Sequence, residues 1–235
     1  MDEKRFAGGF TLVETAMVML ILSLLLGGLL QPLSIQRENL QRRETQEQLE
    51  RIHEALLGYT LVHGHLPCPD RSNTGREERQ GTGCVGDKNG SVWHGRLPWV
   101  TLGVGEQDAW HNRFTYAVAE PFADSSKAPW PAFTQVTAGA VEVVHGIDHT
   151  PAVVFSHGAN GLGAVSAQGV SQSAAVSVAE RENTDGDNRF ILAPYHNDSV
   201  QGFDDQLVWV SPYLLANRLL LAGRLKPWSG RDENE

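Results

Sequence analysis

The feature that most constrains this chain is an apolar run at residues 10–30, in which Glu14 is the only acidic or basic side chain. As an α-helix the run would be about 30 Å long, which matches the hydrocarbon core of a bilayer. A helix buried in a soluble domain rarely needs so long a stretch without charge, so the sequence predicts a membrane-spanning helix. Lys4 and Arg5 precede the run, and the positive-inside rule then places the N-terminus in the cytoplasm and the rest of the chain outside.

Composition excludes some classes of protein. The chain has 235 residues, enough for one sizeable domain with an appendage. Hydrophobic residues make up 41% and charged residues 20%, which argues against global disorder. The formal net charge is -9 and the basic residues form no stripe, so no nucleic acid partner is expected.

The junction ahead of the apolar run carries a family resemblance. An ordinary secretory signal would place a small-residue cleavage site after the run, but no such site follows residue 30. The stretch AGGFTLVE at residues 7–14 resembles the type IV prepilin signature, with a short charged leader, Gly-Phe at the head of the helix and a Glu soon after. The resemblance implies that residues 1–9 are a leader, that a prepilin peptidase cuts between Gly9 and Phe10, and that the new Phe10 amine is methylated.

Glu14 is the one carboxylate inside the apolar run. On insertion scales a charged side chain in a membrane helix costs on the order of 2.5–3.5 kcal/mol, so it needs a partner. Cleavage after Gly9 would create a positive amine at Phe10, and the resemblance implies that Glu14 of a neighbouring subunit pairs with this amine during assembly. In the alternative, Glu14 stays hydrated at the cytoplasmic edge of the membrane.

The pattern of residues 32–62 predicts an amphipathic second half of the helix that begins with the apolar run. Pro32 is expected to interrupt or kink it. Residues 36–48 carry little apolar surface and are expected to be solvated or to lie between subunits. Further on, one apolar stripe recurs at helical spacing, formed by Leu49, Ile52, Leu56 and Tyr59.

The remainder, residues 63–235, reads as an exported domain rich in short strands. β-Branched and aromatic runs between turn residues predict strands at residues 113–119, 140–144, 152–156 and 206–210, and residues 213–225 have a helical pattern. The prepilin resemblance implies the matching fold class, α+β and pilin-like. In that fold a long N-terminal helix, with a membrane and filament-core half at residues 10–31, packs its second half on an antiparallel β-sheet.

Cys68 and Cys84 are the only cysteines. An exported compartment permits a disulfide between them, and free thiols are the alternative. The bridge would close the polar, glycine-containing loop 68–84 and contribute about 3 kcal/mol in the chain-entropy model.

Several further motifs resemble the soluble region of larger prepilin-like proteins from Gram-negative bacteria. They are LPCPD, LPWVTLG, DAWHNRFTYAV, VVFSHGANG and FDDQLVWVS. The large domain and the early cysteine loop depart from a typical major pilin. The resemblance therefore implies a minor subunit.

An acidic turn offers the one candidate for metal binding. Asp185 and Asp187 lie on a glycine-containing loop, and Asp204 and Asp205 are expected to join them in space. Hard carboxylate oxygens of this kind bind calcium, although the spacing is not that of an EF-hand. Some pseudopilins carry calcium in a loop beside the sheet. A solvated turn without metal is the alternative.

No catalytic residue is predicted. Adjacent residues on a strand point to opposite faces, so Ser156 and His157 cannot serve each other as nucleophile and base. The histidines match no recognised zinc spacing, and HExxH is absent.

The sequence thus predicts a minor pilin or pseudopilin of a type IV pilus or type II secretion-like filament, and not an enzyme. Its expected partners are prepilin peptidase, other pilin or pseudopilin subunits and the inner-membrane assembly platform. Its expected location is the inner membrane, with the domain in the periplasm, followed by the filament or cell surface. The alternative is a membrane-tethered periplasmic enzyme or ligand-binding module that keeps its anchor uncut.

Overall fold

The computed structural model describes residues 11–86, 88–127, 141–146, 148–196 and 202–225. The predicted leader, with Gly9 and Phe10, lies outside these residues, as do the side chains of residues 26–34. The chain divides into two compact units, Met1–Gln41 and Arg42–Glu235.

In the first unit the described residues form the beginning of helix α1, which extends over Leu12–His63. Thr11 and Glu14 open it with a reciprocal contact: the Glu14 N–H donates to Thr11 Oγ1 at 3.3 Å, and the Thr11 N–H donates to Glu14 Oε2 at 3.5 Å. This is a capping box, which satisfies backbone donors that a helix start leaves unpaired. Within the described residues, no helix offers a segment with both the length and the apolar character needed to cross a membrane.

Pro32 does not interrupt α1, because the helix continues through it to His63. Of the two expected effects, an interruption or a kink, the interruption does not occur. Proline removes one backbone donor from the helical ladder, and that loss alone does not end a helix with many remaining hydrogen bonds on either side.

In the second unit, the last part of α1 buries the predicted stripe. Leu49, Ile52 and Leu56 are all at most 1% exposed, which confirms the helical spacing for three of the four predicted residues, whereas Tyr59 is only partly buried. Burial also begins a turn earlier, at Thr45, whose Oγ1 accepts a hydrogen bond from the Ala109 N–H at 3.2 Å. An apolar pattern could not show this contact because threonine is a polar residue.

The second unit contains nine strands among the described residues. In chain order they are β1 Arg79–Gln80, β2 Gly83–Cys84, β3 Lys88–Asn89, β4 Val92–Arg96, β5 Thr115–Ala119, β6 Glu142–Val144, β7 Ala152–Ser156, β8 Arg189–Ile191 and β9 Gln206–Trp209. Five of them form one antiparallel sheet in the order β3-β4-β5-β7-β9. The short helices are α2 Trp99–Leu102, α3 Glu120–Ala123, α4 Val178–Thr184 and α5 Pro212–Leu221, with a 3-10 turn at Ser125–Lys127. The predicted α+β class with an antiparallel sheet is confirmed.

One predicted strand lies outside the main antiparallel sheet. The strand predicted at residues 140–144 is β6, which pairs in parallel with β8 in a separate two-stranded sheet. The helix predicted at residues 213–225 is α5, which ends earlier, before Gly223 at a φ of 68°. Strand β4 was not predicted, because its sequence VWHGR contains a glycine and no alternating pattern.

The two faces of the main sheet pack against different layers. Tyr116, Val118 and Val154 lie in one core with the buried stripe of α1. The intervening residues Ala117, Val153 and Phe155 belong to a second core, together with Phe190 of β8 and Phe203. This alternation follows from the two-residue period of a strand and gives the sheet two covered faces.

The predicted disulfide between Cys68 and Cys84 is present, with a Cα–Cα distance of 5.3 Å. The loop has a second anchor in Glu77, whose carboxylate accepts hydrogen bonds from Tyr59 Oη at 2.8 Å and from the Cys68 N–H at 3.2 Å. Arg79 forms an ion pair with the same carboxylate at 3.1 Å. The bridge and the Glu77 contacts together hold the loop against α1.

Candidate metal centre

Three carboxylates converge where β7 ends beside the start of β9. Ser156 is paired in register with Gln206, so the turn after β7 meets the segment before β9 at one end of the sheet. One oxygen each of Glu180, Asp204 and Asp205 lies within 4.8 Å of the others. All three residues are buried, at 2%, 7% and 5% exposure. We call these three residues the acidic cluster.

Helix α4 brings Glu180 to this point. Ser177 caps the helix by accepting a hydrogen bond from the Glu180 N–H at 3.2 Å, which places Glu180 in the first turn. The Glu180 carboxylate accepts two contacts from Asn160 Nδ2, at 3.0 and 3.2 Å, and one from the Asp204 N–H at 3.1 Å. The side chain is therefore held in place from two other segments.

The two aspartates are each held by one oxygen and leave the other free. Asp204 Oδ2 accepts from the Asn160 N–H at 2.8 Å, and Asp205 Oδ2 accepts from Asn183 Nδ2 at 2.7 Å. Asp204 Oδ1 and Asp205 Oδ1 are buried and receive no hydrogen bond from any residue that the structure describes. Buried polar atoms without a partner are rare and costly, so these two oxygens are available to a proton or to a bound cation.

Gly158 makes room for this arrangement. Its φ is +60°, and a Cβ there would lie 2.4 Å from both the carbonyl oxygen and Oδ1 of Asp204. Any other residue would push against the unpaired Asp204 oxygen. Glycine is thus required for the close approach of the turn after β7 as well as for its backbone conformation.

The electrostatics of the cluster favour neutralisation. Burial, together with the charge of the neighbouring Glu180, raises the pKa of Asp204 to about 6. Burial likewise raises the pKa of Asp205 well above its ordinary value, with Glu180 and Asp204 adding to the effect. Among the described residues no Lys, Arg or His forms an ion pair with the cluster. Protons or a bound cation must therefore balance the charge.

The donor set fits a hard divalent cation. Calcium and magnesium take carboxylate and carbonyl oxygens, and three carboxylates with two unpaired oxygens provide such ligands. Nitrogen or sulfur ligands, which zinc and copper prefer, are absent from the cluster. Glu180, Asp204 and Asp205 would hold the ion, and it would neutralise charge and join α4 to the strand ends.

The predicted set of four aspartates does not form one group in the described residues. Asp185 and Asp187 instead cap their own turn, where Asp185 Oδ1 accepts from the Asp187 N–H at 3.0 Å and Asp187 Oδ1 accepts from the Arg189 N–H at 2.7 Å. Asp204 and Asp205 meet Glu180 in their place. Glu180 was missed because nothing in the sequence AEREN distinguishes it from a solvated helical residue.

Ser156 and His157 bond to separate partners. Ser156 Oγ donates to Asp108 Oδ2 at 2.6 Å. His157 Nδ1 lies 3.1 Å from the Leu162 carbonyl oxygen, and its Nε2 lies 2.8 Å from Thr115 Oγ1. A carbonyl oxygen only accepts, so Nδ1 carries the proton and Thr115 donates to Nε2. The two residues therefore do not form a nucleophile and base pair with each other.

Burial of this neutral imidazole predicts a pH effect on stability. Burial lowers the pKa of His157 from 6.5 to about 4. Between those values the unfolded chain binds a proton that the folded chain does not, so stability falls as the pH falls from 7 to 5, by about 2 kcal/mol from this residue. Urea unfolding of the His157→Asn variant at both pH values should show a pH-dependent loss about 2 kcal/mol smaller than in the wild type.

The control for this measurement is His145→Asn, which changes an exposed histidine. That variant should keep the full loss of stability between pH 7 and pH 5. Equal losses in the wild type and in His157→Asn would show that His157 does not contribute to the pH dependence.

No protein family, no curated protein and no solved structure matches this chain. The prepilin resemblance therefore depends on the residues of this sequence alone. Of the residues it singles out, Glu14 lies in the first turn of α1, and Gly9 and Phe10 lie outside the described residues.

Proposed function

We propose that this chain is a minor pilin or pseudopilin subunit of a type IV pilus or type II secretion-like filament. A prepilin peptidase removes residues 1–9, and residues 10–31 then hold the subunit in the inner membrane. The inner-membrane assembly platform transfers it to the filament, where the same helix packs against those of other subunits. In this role the chain is a building block and not an enzyme.

The observation that carries the proposal is the exposure of apolar side chains at the start of α1. Every side chain from residue 12 to residue 25 is exposed, including Leu12 at 86% and Leu24 at 70%. A soluble protein rarely leaves a contiguous apolar surface of this kind uncovered. Lipid or the apolar helices of neighbouring subunits would cover it, and a filament subunit meets both in turn.

The second unit supports export of the domain. The Cys68–Cys84 disulfide is typical of proteins in oxidising compartments, such as the bacterial periplasm. A calcium ion at the acidic cluster would stabilise the domain there without taking part in any reaction. Both features suit a domain whose work is to remain folded on the outside of a cell.

Cleavage by a prepilin peptidase tests the proposal. Co-expression with the enzyme should shorten the chain by the nine residues 1–9 and leave Phe10 as the N-terminus, as read by mass spectrometry and N-terminal sequencing. Gly9→Ala should be cut poorly or not at all, because the resemblance places the cut after Gly9. The matched control Gly8→Ala moves the same change one residue away and should still be cut.

A chain that keeps residues 1–9 in the presence of active peptidase would rule out the proposal. The tethered enzyme or ligand-binding module with an uncut anchor would then be the better account. Equal cutting of the Gly9→Ala and wild-type chains would place the recognition elsewhere and remove the family resemblance as an argument.

A further inference from the structure

The sheet face that packs away from α1 has an open end, which contains a pocket of about 300 Å³. Its lining includes residues of three adjacent strands: His94 and Arg96 of β4, Thr115 of β5 and Phe155 of β7. Arg71, an exposed residue, also lines it. The volume is at the lower end of the range for pockets that bind small molecules.

Gly95 explains how Arg71 reaches the pocket. A Cβ on Gly95 would lie 2.8 Å from Pro69 Cβ and 2.9 Å from the Asp70 carbonyl oxygen, so only glycine lets this segment cross β4. The crossing is secured by two backbone hydrogen bonds between Asp70 and Arg96, each 2.9 Å long. As a result, two guanidinium groups line one small pocket.

Neither guanidinium has a carboxylate partner among the described residues. Arg71 Nη1 donates to the His94 carbonyl oxygen at 3.3 Å, and Arg96 Nη2 donates to the Arg71 carbonyl oxygen. Arg96 Nε is buried and has no hydrogen-bond partner in the part of the chain that the structure describes. Each guanidinium carries five N–H donors, so most of this donor capacity is unused.

The acidic residues close to the pocket are already engaged by backbone N–H groups. Asp70 accepts from Thr74 and Gly75, and Glu78 accepts from Arg71 and Ser72. The turn carboxylates near His94 are engaged in the same way, namely Asp185 and Asp187. These carboxylates are thus held by the backbone and form no ion pair with the two guanidinium groups, which leaves the guanidinium groups available to an acceptor ligand.

The rest of the lining is aromatic or apolar. The His94 ring stacks on Phe190 with centroids 6.2 Å apart, and burial lowers the pKa of His94. Val165 also lines the pocket and is partly exposed, and Phe155 lies buried beneath the lining. A ligand that fits this lining has a small apolar body next to its anionic group.

We propose that this pocket binds a small organic carboxylate, with its carboxylate group against Arg71 and Arg96 and its apolar part against Val165 and the His94 ring. Planar guanidinium groups match carboxylate oxygens in geometry as well as in charge. The carboxylate can belong to a free organic acid or to the C-terminus of a peptide. The proposal is independent of the filament role, since it depends on the pocket alone.

The test uses the full chain in a mild detergent and benzoate as the probe, with calorimetry as the readout. Benzamide is the matched control, because it has nearly the same shape without the charge. Loss of a charge-assisted hydrogen bond is worth about tenfold or more in affinity. Benzoate should therefore bind at least about tenfold more tightly than benzamide, and Arg96→Gln should weaken benzoate binding by a similar factor.

Two further variants separate binding from folding. Arg71→Gln changes an exposed side chain and should weaken benzoate binding without lowering the unfolding midpoint. Arg76→Gln changes an exposed arginine in the same loop and should alter neither benzoate binding nor the unfolding midpoint. An acetylated dipeptide ending in Phe, compared with its C-terminal amide, distinguishes the two sources: tighter binding than benzoate assigns the site to a peptide end. Equal binding of benzoate and benzamide, no binding of any carboxylate, or unchanged affinity in both Arg71→Gln and Arg96→Gln would overturn the proposal.

Discussion

Calcium is expected to raise the free energy of unfolding by about 3 to 4 kcal/mol once its free concentration exceeds the dissociation constant by roughly 100- to 1,000-fold. The physical reason is that Glu180, Asp204 and Asp205 are assembled only in the folded chain, so the ion binds the folded state and not the unfolded one. Urea unfolding of the full chain in mild detergent, with calcium and with a chelator, measures the difference.

Asp205→Asn should have opposite effects on the free energy of unfolding in the presence of a chelator and in the presence of calcium. With a chelator present, the variant should be at least as stable as the wild type, because one of three crowded, buried carboxylates has been removed. With calcium present, the variant should lose most of the calcium-dependent gain in the free energy of unfolding, which mass action puts at about 3 to 4 kcal/mol. If the cluster binds no metal, the difference in stability between the variant and the wild type should be the same with calcium and with a chelator.

Asp187→Asn is the matched control for the metal centre. Its carboxylate lies in the acidic turn that the sequence suggested, but it caps the Arg189 N–H and is not part of the acidic cluster. The calcium increment should therefore be the same in this variant as in the wild type. If the calcium increment is lost in Asp187→Asn and kept in Asp205→Asn, the ion binds in the turn. If the wild type shows no calcium increment, the cluster is neutralised by protons alone.

Glu14→Ala is expected to be processed normally and to reduce incorporation into filaments by about 10- to 100-fold, which corresponds to the 1.5–3 kcal/mol of a hydrogen bond to a charged group. The proposed pairing joins the Glu14 carboxylate to the Phe10 amine of a neighbouring subunit in an apolar surrounding, where an unpaired charge is costly. Immunoblots of sheared filaments, normalised to the amount of cut subunit in the cell, measure incorporation.

The capping contact with Thr11 gives Glu14 a second role that this experiment must separate. Glutamine also serves in a capping box, so Glu14→Gln keeps the helix start and removes only the charge. Incorporation as poor as that of Glu14→Ala would support charge pairing, whereas wild-type incorporation would assign the effect to capping. Glu44→Ala, an exposed change on the same helix outside the apolar run, should leave cleavage and incorporation unchanged.

Local patterns predicted the elements whose signals lie within a few residues. The stripe at Leu49, Ile52 and Leu56 was correct because helical spacing alone decides which residues share a face. Strand β7 was predicted at its observed bounds because AVVFS combines β-branched and aromatic residues throughout. The disulfide was correct because only one pairing of two cysteines exists within the chain.

Other features could not be predicted from neighbouring residues alone. Strand β6 looks like any short strand, and its parallel pairing with β8 depends on how α4 returns the chain to the second face of the sheet. The length of α1 across Pro32 depends on helical hydrogen bonds that outnumber the one lost at the proline. The guanidinium pair at residues 71 and 96 exists because Gly95 permits a crossing of two segments that no spacing rule describes.

The amino-acid sequence by itself determined the apolar N-terminal run, the packed stripe of α1, the strand-rich domain and the cysteine pair, because each follows from residue type and short-range periodicity. Only the tertiary structure decided which acids meet. Asp204 and Asp205 lie beside Glu180, 24 positions before Asp204, and not beside the nearer Asp187, because the pairing of β7 with β9 brings that end of the sheet to α4. Burial then leaves two carboxylate oxygens without a donor, a property that arises from the packing of distant segments and has no counterpart in the linear sequence.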